Sequence, residues 1–179
     1  KHNQRIQRAV KNMTSLLNDT LFIGKTEAVA VQLNPENLNL KEFVQVMIAD
    51  ANKSAKVPRK VELEYLAVNE IVLIDPDVLS HIAMNLISNA IKYSPENTPV
   101  QVIVNGNRTH ISIEVIDKGI GIPKSEQKYM FTPFHRYTNV ANVEGTGLGM
   151  AIIKRCVDLL NGSISVESEE GKGTAIKVV

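Results

Sequence analysis

The segment from residue 71 to residue 93 constrains the fold of this chain more than any other part of the sequence. Ile71 to Ile74 is a short apolar run, and Asp75-Pro76 follows it directly. An aspartate can cap a helix and proline fits its first turn, so a strand that leads at once into a helix is predicted here. Ser94-Pro95 ends that helix, because the residue before a proline disfavours helical geometry. This segment therefore indicates a fold in which helices pack onto a sheet.

Apolar periodicity predicts the other elements of the chain. Residues 34–37 are polar and predict a linker or turn, whereas Asn105-Gly106-Asn107 predicts the turn of a β-hairpin. The element order predicts an α/β (α+β) two-layer sandwich, in which a mixed, mostly antiparallel sheet carries its helices on one face. Besides the elements above, strands are predicted at 61–66, 100–104, 111–116, 163–168 and 174–178, and helices at 3–23, 40–52 and 148–160.

Charge and cysteine content exclude several classes of function. With 20 basic and 19 acidic residues the net charge is +1, so the whole chain has no electrostatic reason to bind nucleic acid or an anionic membrane. Any nucleotide must therefore be held by local features. The lone Cys156 lies in an apolar helical pattern, which favours a small core residue over a reactive thiol and agrees with a cytoplasmic location. No apolar run approaches the roughly 18 residues of a membrane span.

The predicted helix of residues 76–93 carries polar side chains on one stripe. Asn85, Asn89 and Lys92, or Tyr93, follow at i, i+4, i+7 and i+8, opposite an apolar face. Amide oxygens can coordinate a hard cation and an ammonium can neutralise phosphate, so the stripe fits a phosphate and metal assembly. The alternative is an ordinary solvated polar face.

Two glycine-rich segments extend this pattern. Asp117-Lys118-Gly119-Ile120-Gly121-Ile122 follows a predicted strand, and there an aspartate can accept a hydrogen bond from an adenine amino group while the glycines admit a flat ligand. Its alternative is an ordinary turn. Gly145-Thr146-Gly147-Leu148-Gly149 opens a helix, where unpaired amides and the helix dipole attract anions. Its alternative is a plain helix cap.

Other nucleotide-binding motifs do not fit these glycines. A dinucleotide-binding fingerprint needs a strand leading into its glycines, whereas Gly145 follows a segment without periodicity. The full Gly-x-x-x-x-Gly-Lys-Ser/Thr pattern of a phosphate-binding P-loop does not occur in the chain. A fourth segment, Gly171-Lys172-Gly173-Thr174, by itself predicts a hairpin turn.

Taken together and in this order, the four segments resemble the N, G1, G2 and G3 boxes of the sensor histidine kinase catalytic domain, in the superfamily that includes gyrase, the mismatch-repair ATPase and heat-shock chaperones. Phe131-Thr132-Pro133-Phe134-His135-Arg136 is similar to that family's F box, and residues of about 123–145 to its ATP lid. The resemblance covers about Leu38 to Val179. It implies a Bergerat-type ATP-binding fold and the ligands ATP and Mg²⁺.

The resemblance also implies roles for single residues. Asn89 would be the magnesium ligand, with Asn85 beside it at the phosphates. Arg136 would stabilise charge on the transferred phosphoryl group, although a solvated arginine is the alternative. The remaining positions would hold the nucleotide: Lys92 at the phosphates; Tyr93 at the base or ribose; Asp117, Gly119, Gly121, Ile122 and Thr174 at the adenine; and Gly145, Thr146, Gly147, Leu148 and Gly149 around the phosphates.

Asn85 separates kinase from hydrolase within that superfamily. The hydrolytic relatives carry a glutamate there, which activates water, whereas an amide cannot accept a proton from water at neutral pH. Transfer to a histidine needs no such base, because the imidazole is itself the nucleophile. Asn85, Lys92 and Arg136 are accordingly the candidate catalytic residues.

Residues 1–30 resemble part of a dimerisation and phosphotransfer domain, and residues 31–179 the ATP-binding domain. Ile6, Val10, Met13 and Leu17 form a narrow apolar stripe that we expect to self-associate, fold back on the domain or disorder. None of the four histidines has the His-Glu/Asp-x-x-Thr-Pro context of the acceptor, so the acceptor helix is expected to be absent and the chain alone unable to autophosphorylate.

The implied partners are a histidine-bearing dimerisation helix and a response regulator, and the implied parent protein is a homodimer. No nucleic acid and no membrane contact are expected for this chain. Two other functions stay open at this point. One is a kinase-like nucleotide-binding module without phosphotransfer, and the other, disfavoured by Asn85, is an ATPase of the gyrase or chaperone type.

Overall fold

A computed structural model gives the fold and describes residues 10, 13–14, 16–17, 19–24, 32–140 and 145–179. The described residues between 10 and 24 are helical, in agreement with the helix predicted at 3–23. The elements that follow are β1 (Glu36–Asn39), α1 (Leu40–Ser54), β2 (Val61–Tyr65), β3 (Ile71–Ile74), α2 (Pro76–Tyr93), β4 (Val100–Gly106), β5 (Ile111–Asp117), α3 (Gly149–Leu159), β6 (Ile164–Glu169) and β7 (Gly173–Val178), with 3₁₀ turns at Gln127–Tyr129 and Thr138–Val140.

The main sheet has five strands in the order β2-β4-β5-β7-β6. Only its β2–β4 pair is parallel, and the other three pairs are antiparallel. The predicted mixed, mostly antiparallel sheet is therefore confirmed. β1 and β3 form a separate two-stranded antiparallel sheet. The prediction of a linker or turn at residues 34–37 was wrong for Glu36 and Asn37, because pairing with β3 imposes a strand that the polar sequence does not indicate.

The start of α2 has the predicted cap. Asp75 Oδ1 accepts hydrogen bonds from the amides of Asp77 and Val78 at 3.0 and 3.1 Å, and Pro76 occupies the first turn. The second carboxylate oxygen of Asp75 accepts from the amide of Asn34 at 2.8 Å. One buried carboxylate thus fixes the position of α2 and of the chain that leads into β1.

The hydrophobic core lies between the helices and the main sheet. α2 contributes buried side chains on successive turns, such as Ile82 and Leu86. β4 contributes Val102 and the other side chains that point inward from this strand. Cys156 of α3 is fully buried, and burial raises the pKa of its thiol to about 12. The prediction that this cysteine behaves as a small core residue is therefore confirmed.

The hairpin between β4 and β5 turns later than predicted. Asn105 and Gly106 are paired strand residues, with Gly106 opposite Ile111. The turn consists of residues 107–110, where Asn107 Oδ1 accepts from the amides of Thr109 and His110. Asparagine side chains stabilise such turns locally, so the third residue of the motif sets the turn rather than its Asn-Gly pair.

Among the described N-terminal residues, Phe22 and Ile23 pack against the core of the domain. The Phe22 ring lies against the His81 ring of α2, with 4.2 Å between their centroids. The apolar stripe itself stays exposed at Val10, Met13 and Leu17, whose exposed fractions are 57, 72 and 61%. Ile6 lies outside the described residues. None of the helices in the described ranges is long and apolar enough to cross a membrane.

Candidate nucleotide-binding site

The polar stripe of α2 is held in a defined conformation. Asn85 Nδ2 donates to the carbonyl of His81 one turn earlier at 2.8 Å. Lys92 Nζ donates to the hydroxyl of Tyr93 at 3.0 Å and lies 4.6 Å from the centre of that ring. These bonds leave the Asn85 oxygen and the charged end of Lys92 available on the stripe, beside Asn89.

Asp117 ends β5 beside a tight turn. Its Oδ1 accepts a hydrogen bond from the amide of Gly119 at 2.7 Å, and the strand register places Thr174 of β7 opposite it. Burial raises the pKa of the Asp117 carboxyl, while bonds from the amides of Gly119 and Thr174 act in the opposite direction. Burial thus disfavours the charged form of this carboxyl, and a pKa shift of this kind marks a candidate functional residue.

The glycines of this turn are required by close packing. A Cβ on Gly119 would lie 2.5 Å from the carbonyl of Tyr93, so this glycine lets the turn approach the end of α2. Gly121 has a φ of +63°, and a Cβ there would overlap the carbonyl of Glu169 at the turn between β6 and β7. The turn therefore contacts both the end of α2 and the hairpin of β6 and β7. Neither glycine can be replaced without movement of the backbone.

A cavity opens next to Asp117, and we call it the Asp117 cavity. Its walls are mostly apolar, with Asp117 and Thr174 as polar groups on one side. A mostly apolar cavity that contains a carboxylate partly removed from water suits a heteroaromatic base that carries an amino group. The lining residues are Leu86, Asn89, Ala90, Tyr93, Val115, Asp117, Ile120, Gly121, Ile122, Tyr137, Met150, Thr174 and Ile176.

The glycine-rich loop before α3 packs directly on the polar stripe. A Cβ on Gly149 would lie 2.8 Å from Asn85 Oδ1 and 3.5 Å from Asn89 Nδ2, and one on Gly145 would overlap Lys92 Nζ. Gly147 has a φ of +74°. α3 starts without a side-chain cap, so the amides of its first turn face the loop without a side-chain acceptor. Gly145 and Gly149 thus bring a helix start against two amides and one ammonium group, whereas Gly147 packs on the backbone of residues 134–135.

A second cavity lies between this loop and α2, and we call it the glycine-loop cavity. It is more polar than the first and includes Lys92 and Arg136 as basic groups. A basic cavity at a helix start suits a polyphosphate. The lining residues are Leu16, Asp19, Asn85, Ser88, Asn89, Lys92, Tyr93, Met130, His135, Arg136, Tyr137, Gly145, Thr146, Gly147, Gly149 and Met150.

The two cavities adjoin, since Asn89, Tyr93, Tyr137 and Met150 line both of them. Asn89, Asp117 and Gly147 therefore surround one continuous cleft, as the sequence predicted for a common nucleotide site. Two of the predicted residues line neither cavity. Gly119 acts through its packing on Tyr93, and Leu148 is fully buried in the core.

The lid is attached to the site at several points. Phe134, which has an unusual φ of +62°, donates its amide to the carbonyl of Gly147 at 3.1 Å. Asn139 Nδ2 donates to the carbonyl of Gly121 at 3.1 Å. The lid thus contacts both glycine segments, and the predicted lid residues 141–144 lie outside the described residues.

Sequence reasoning missed several lining residues. Tyr137 and Met150 line both cavities, yet neither belongs to a motif that marks it. Asp19 of the N-terminal helix lines the glycine-loop cavity; burial raises the pKa of its carboxyl, and the nearby His81 lowers it. Burial lowers the pKa of His81, and the carboxylates of Asp19 and Asp77 raise it. No sequence signal places Asp19 there, because its neighbourhood depends on how one helix docks.

A metal in this cleft would have few protein ligands. The described ranges contain no group of three or more His, Cys, Asp or Glu side chains that could hold an ion. Mg²⁺ commonly keeps several waters and takes one or two protein ligands plus phosphate oxygens. The amide of Asn89 beside Lys92 and the start of α3 fits that pattern of binding.

Comparison with known proteins agrees with this geometry. The sequence profile of the family described as "Histidine kinase-, DNA gyrase B-, and HSP90-like ATPase" matches residues 74–179. The chain is 35% identical over 175 residues to the sensor histidine kinase WalK of Bacillus subtilis, covering 95% of this chain and 28% of WalK. It is 34% identical over 184 residues to the sensor histidine kinase RcsC of Escherichia coli, covering 97% of this chain and 19% of RcsC.

A solved structure shares the fold. The crystal structure of full-length ShkA in complex with AMPPNP superposes with a TM-score of 0.81 at 20% sequence identity, over 98% of this chain and 37% of ShkA. The chain thus spans well under half of each of these three proteins.

Proposed function

Because this chain belongs to the histidine kinase-, DNA gyrase B-, and HSP90-like ATPase family and is an ATP-binding catalytic domain of the sensor histidine kinase type, we propose that it transfers the γ-phosphoryl group of Mg-ATP to a histidine on a dimerisation helix. One observation carries the proposal: the apolar cavity with Asp117 runs into the basic cavity at the start of α3. A base, a sugar and a triphosphate need such a sequence of environments.

The base is held by shape and by one acceptor. Asp117 accepts the hydrogen bond of the adenine amino group, while Ile122, Leu86 and the other apolar walls cover the ring faces. A bound base would displace water from this cavity and so strengthen the hydrogen bond to the carboxylate. Guanine has a carbonyl oxygen at the position of the adenine amino group. This oxygen and the Asp117 carboxylate are both acceptors, so they would face each other without a hydrogen bond.

The phosphates are held by charge. Lys92 and the first-turn amides of α3 supply positive potential, and Arg136 lines the same cavity. Asn89 is the proposed protein ligand of Mg²⁺, which when bound neutralises phosphate oxygens and favours departure of ADP. Catalysis on this domain is then positioning and charge neutralisation rather than acid–base chemistry.

Asn85 supports transfer over hydrolysis. Its amide nitrogen donates to the carbonyl of His81, which turns its oxygen toward the glycine-rich loop. An amide so placed can orient phosphate or a water ligand of the metal, yet it cannot remove a proton from water. The nucleophile is the acceptor imidazole, whose nitrogen forms a bond to the γ-phosphorus as the bond to ADP breaks.

The proposed division of the chain follows from this role. Residues 1–30 are proposed to be part of the dimerisation and phosphotransfer domain with its linker, and residues 31–179 the ATP-binding domain with its lid at about 123–145. The proposed partners are a histidine-bearing dimerisation helix, a second copy of the parent protein and a response regulator. His2, His81, His110 and His135 lack the acceptor context, so this chain alone is expected to take no label.

Reconstitution tests the proposal. The chain is mixed with the histidine-bearing dimerisation hairpin of its parent protein and labelled ATP, with and without Mg²⁺. We expect acid-labile phosphate on the hairpin, only with Mg²⁺, and none on the chain by itself. ATP binding measured by calorimetry without any transfer would instead indicate a nucleotide-sensing module. Steady ATP turnover without acceptor would indicate an ATPase, and label on the chain alone would contradict the missing-acceptor prediction.

A further inference from the structure

The junction between the two cavities is lined by two phenols. Of the four residues that line both cavities, Asn89 carries an amide and Met150 is apolar, whereas Tyr93 and Tyr137 carry hydroxyl groups. Tyr93 belongs to α2, and Tyr137 belongs to the lid. The junction therefore has a hydroxyl-bearing side chain on each of two separate segments.

The proposed binding mode leaves a single part of the nucleotide for this junction. With the base beside Asp117 and the phosphates beside Lys92, the sugar must bridge the two cavities. The polar groups that distinguish one sugar from another are its hydroxyls at C2′ and C3′. A group that reads the sugar must therefore offer a hydrogen bond at the junction.

The two tyrosines are not equivalent in this respect. The Tyr93 oxygen already accepts a hydrogen bond from Lys92 Nζ at 3.0 Å, so its position is tied to the phosphate side. Burial raises the pKa of Tyr137 to about 12, and the neighbouring Tyr93 and Glu126 act in the same direction. Tyr137 accordingly keeps its proton over the whole physiological range and is a hydrogen-bond donor there.

The lid holds Tyr137 in place from both sides. Next to it, Thr138 donates its amide and its hydroxyl to the carboxylate of Glu126, at 3.1 and 2.6 Å. Asn139 Nδ2 donates to the carbonyl of Gly121 in the Asp117 turn. The His135 ring meets the Tyr137 ring edge-on at 5.6 Å between centroids. A side chain fixed in this way can discriminate between ligands, because little conformational entropy is lost when it binds.

We propose that Tyr137 is a specificity-determining residue, whose hydroxyl bonds a ribose hydroxyl and makes the site prefer ribonucleotides to deoxyribonucleotides. The inference rests on the proposed function, since it assumes that the cleft binds ATP. It extends that function from the base and the phosphates to the sugar.

Calorimetry with three nucleotides tests it on the 179-residue chain. ATP, 2′-deoxyATP and 3′-deoxyATP are titrated into the wild type with Mg²⁺. We expect at least one deoxy analogue to bind about 5- to 10-fold more weakly than ATP, the usual effect of one hydrogen bond, and the weaker analogue identifies the hydroxyl that is read. Equal affinity for all three nucleotides would overturn the inference without any substitution being made.

Two variants complete the test. Tyr137→Phe should weaken ATP by the same factor and leave the weaker deoxy analogue unchanged, so that discrimination disappears. Tyr129→Phe is the matched control, because Tyr129 is 44% exposed and lines neither cavity, and it should keep the wild-type pattern. If Tyr137→Phe weakened all three nucleotides equally, the residue would act by packing and the inference would be wrong. If the wild type bound no ATP, the proposed function itself would fail, which is a separate result.

Discussion

The Asp117 cavity and the glycine-loop cavity are built in different ways. The first lies mainly between the sheet, α2 and a turn whose shape is fixed by backbone packing at Gly119 and Gly121, with Tyr137 and Met150 at its junction with the second. The second is lined by side chains from α2, the lid and the N-terminal helix and by the backbone of the glycine-rich loop. We propose that the first holds the rigid, mostly apolar base and the second the flexible, charged phosphates.

Because of this difference, the contribution of the base to the affinity for ATP can be measured separately from the contribution of the phosphates. In the proposed binding mode adenosine occupies the first cavity and the junction, whereas ATP also fills the second cavity, so changes in each cavity have distinct signatures. Measuring the affinity for adenosine beside that for ATP therefore distinguishes an effect on the first cavity from an effect on the second.

The largest expected effect is on the base. Asp117→Asn replaces a buried charged acceptor by a neutral one, and calorimetry should show adenosine and ATP weakened by the same factor of roughly 10 to 100. Asp158→Asn is the control, because Asp158 lies on the outer side of α3 in a surface ion pair with Lys154 and should bind normally. A loss confined to ATP would contradict the division between the cavities.

The pH dependence should follow the same carboxylate. Burial raises the pKa of Asp117 in the folded state above its value in the unfolded state, so the fold favours the protonated carboxyl. The stability that the protonated carboxyl contributes is lost as pH rises through the folded pKa. Asp117→Asn should therefore unfold at pH 7 at no lower temperature than the wild type. ATP affinity of the wild type should fall on acidification at a pH above the ordinary aspartate pKa of about 4. The variant should lack this step, and an identical profile would refute the assignment.

The next effect belongs to the phosphates. Lys92→Met removes the ammonium group beside Gly145, and ATP should weaken about 10-fold while adenosine is unchanged. The salt dependence of ATP binding should also become shallower, because one charge pair is lost. Lys154→Met, on the surface of α3, serves as the control. Weaker adenosine binding would show that Lys92 supports the base cavity as well.

A smaller effect is expected at the contact between the loop and α2. Gly149→Ala would place a Cβ 2.8 Å from Asn85 Oδ1 and 3.5 Å from Asn89 Nδ2, and so displace the proposed metal-binding amides. The gain in ATP affinity on adding Mg²⁺ should shrink about fivefold, with adenosine unaffected. Gly24→Ala is the matched control, since nothing lies within 4 Å of its added Cβ. An unchanged Mg²⁺ effect would place the metal elsewhere.

The smallest effect concerns the N-terminal helix. Burial lowers the pKa of His81, partly offset by Asp19 and Asp77, so the contact with Phe22 is most stable above the ordinary histidine pKa of about 6.5 and weakens as pH falls through the lowered value. Hydrogen exchange of residues 19–24, corrected for intrinsic rates, should show less protection at pH 5 than at pH 7.5. His81→Gln should remove the difference. Equal protection at both pH values would exclude this titration.

Most elements could be predicted from the sequence, because local rules decide them. Asp75-Pro76 and Ser94-Pro95 set both ends of α2, and the apolar alternation of β5 predicts a half-buried strand. β1 could not be predicted, because Glu36–Asn39 becomes a strand through pairing with β3 rather than through its own pattern. The turn after β4 lies later in the chain than the sequence predicted, because the Asn107 side chain stabilises a turn that follows the Asn-Gly pair.

By itself the sequence determined the chemistry of the cleft. Amides at helical spacing, an aspartate at a strand end and glycines at a helix start are types of residue whose function depends on local backbone geometry. Only the tertiary structure decided the junction between the cavities. Tyr137, Met150 and Asp19 reach the cleft because the lid, α3 and the N-terminal helix pack there. Contacts between segments distant in the chain depend on how whole elements dock, and no short stretch of sequence encodes that docking.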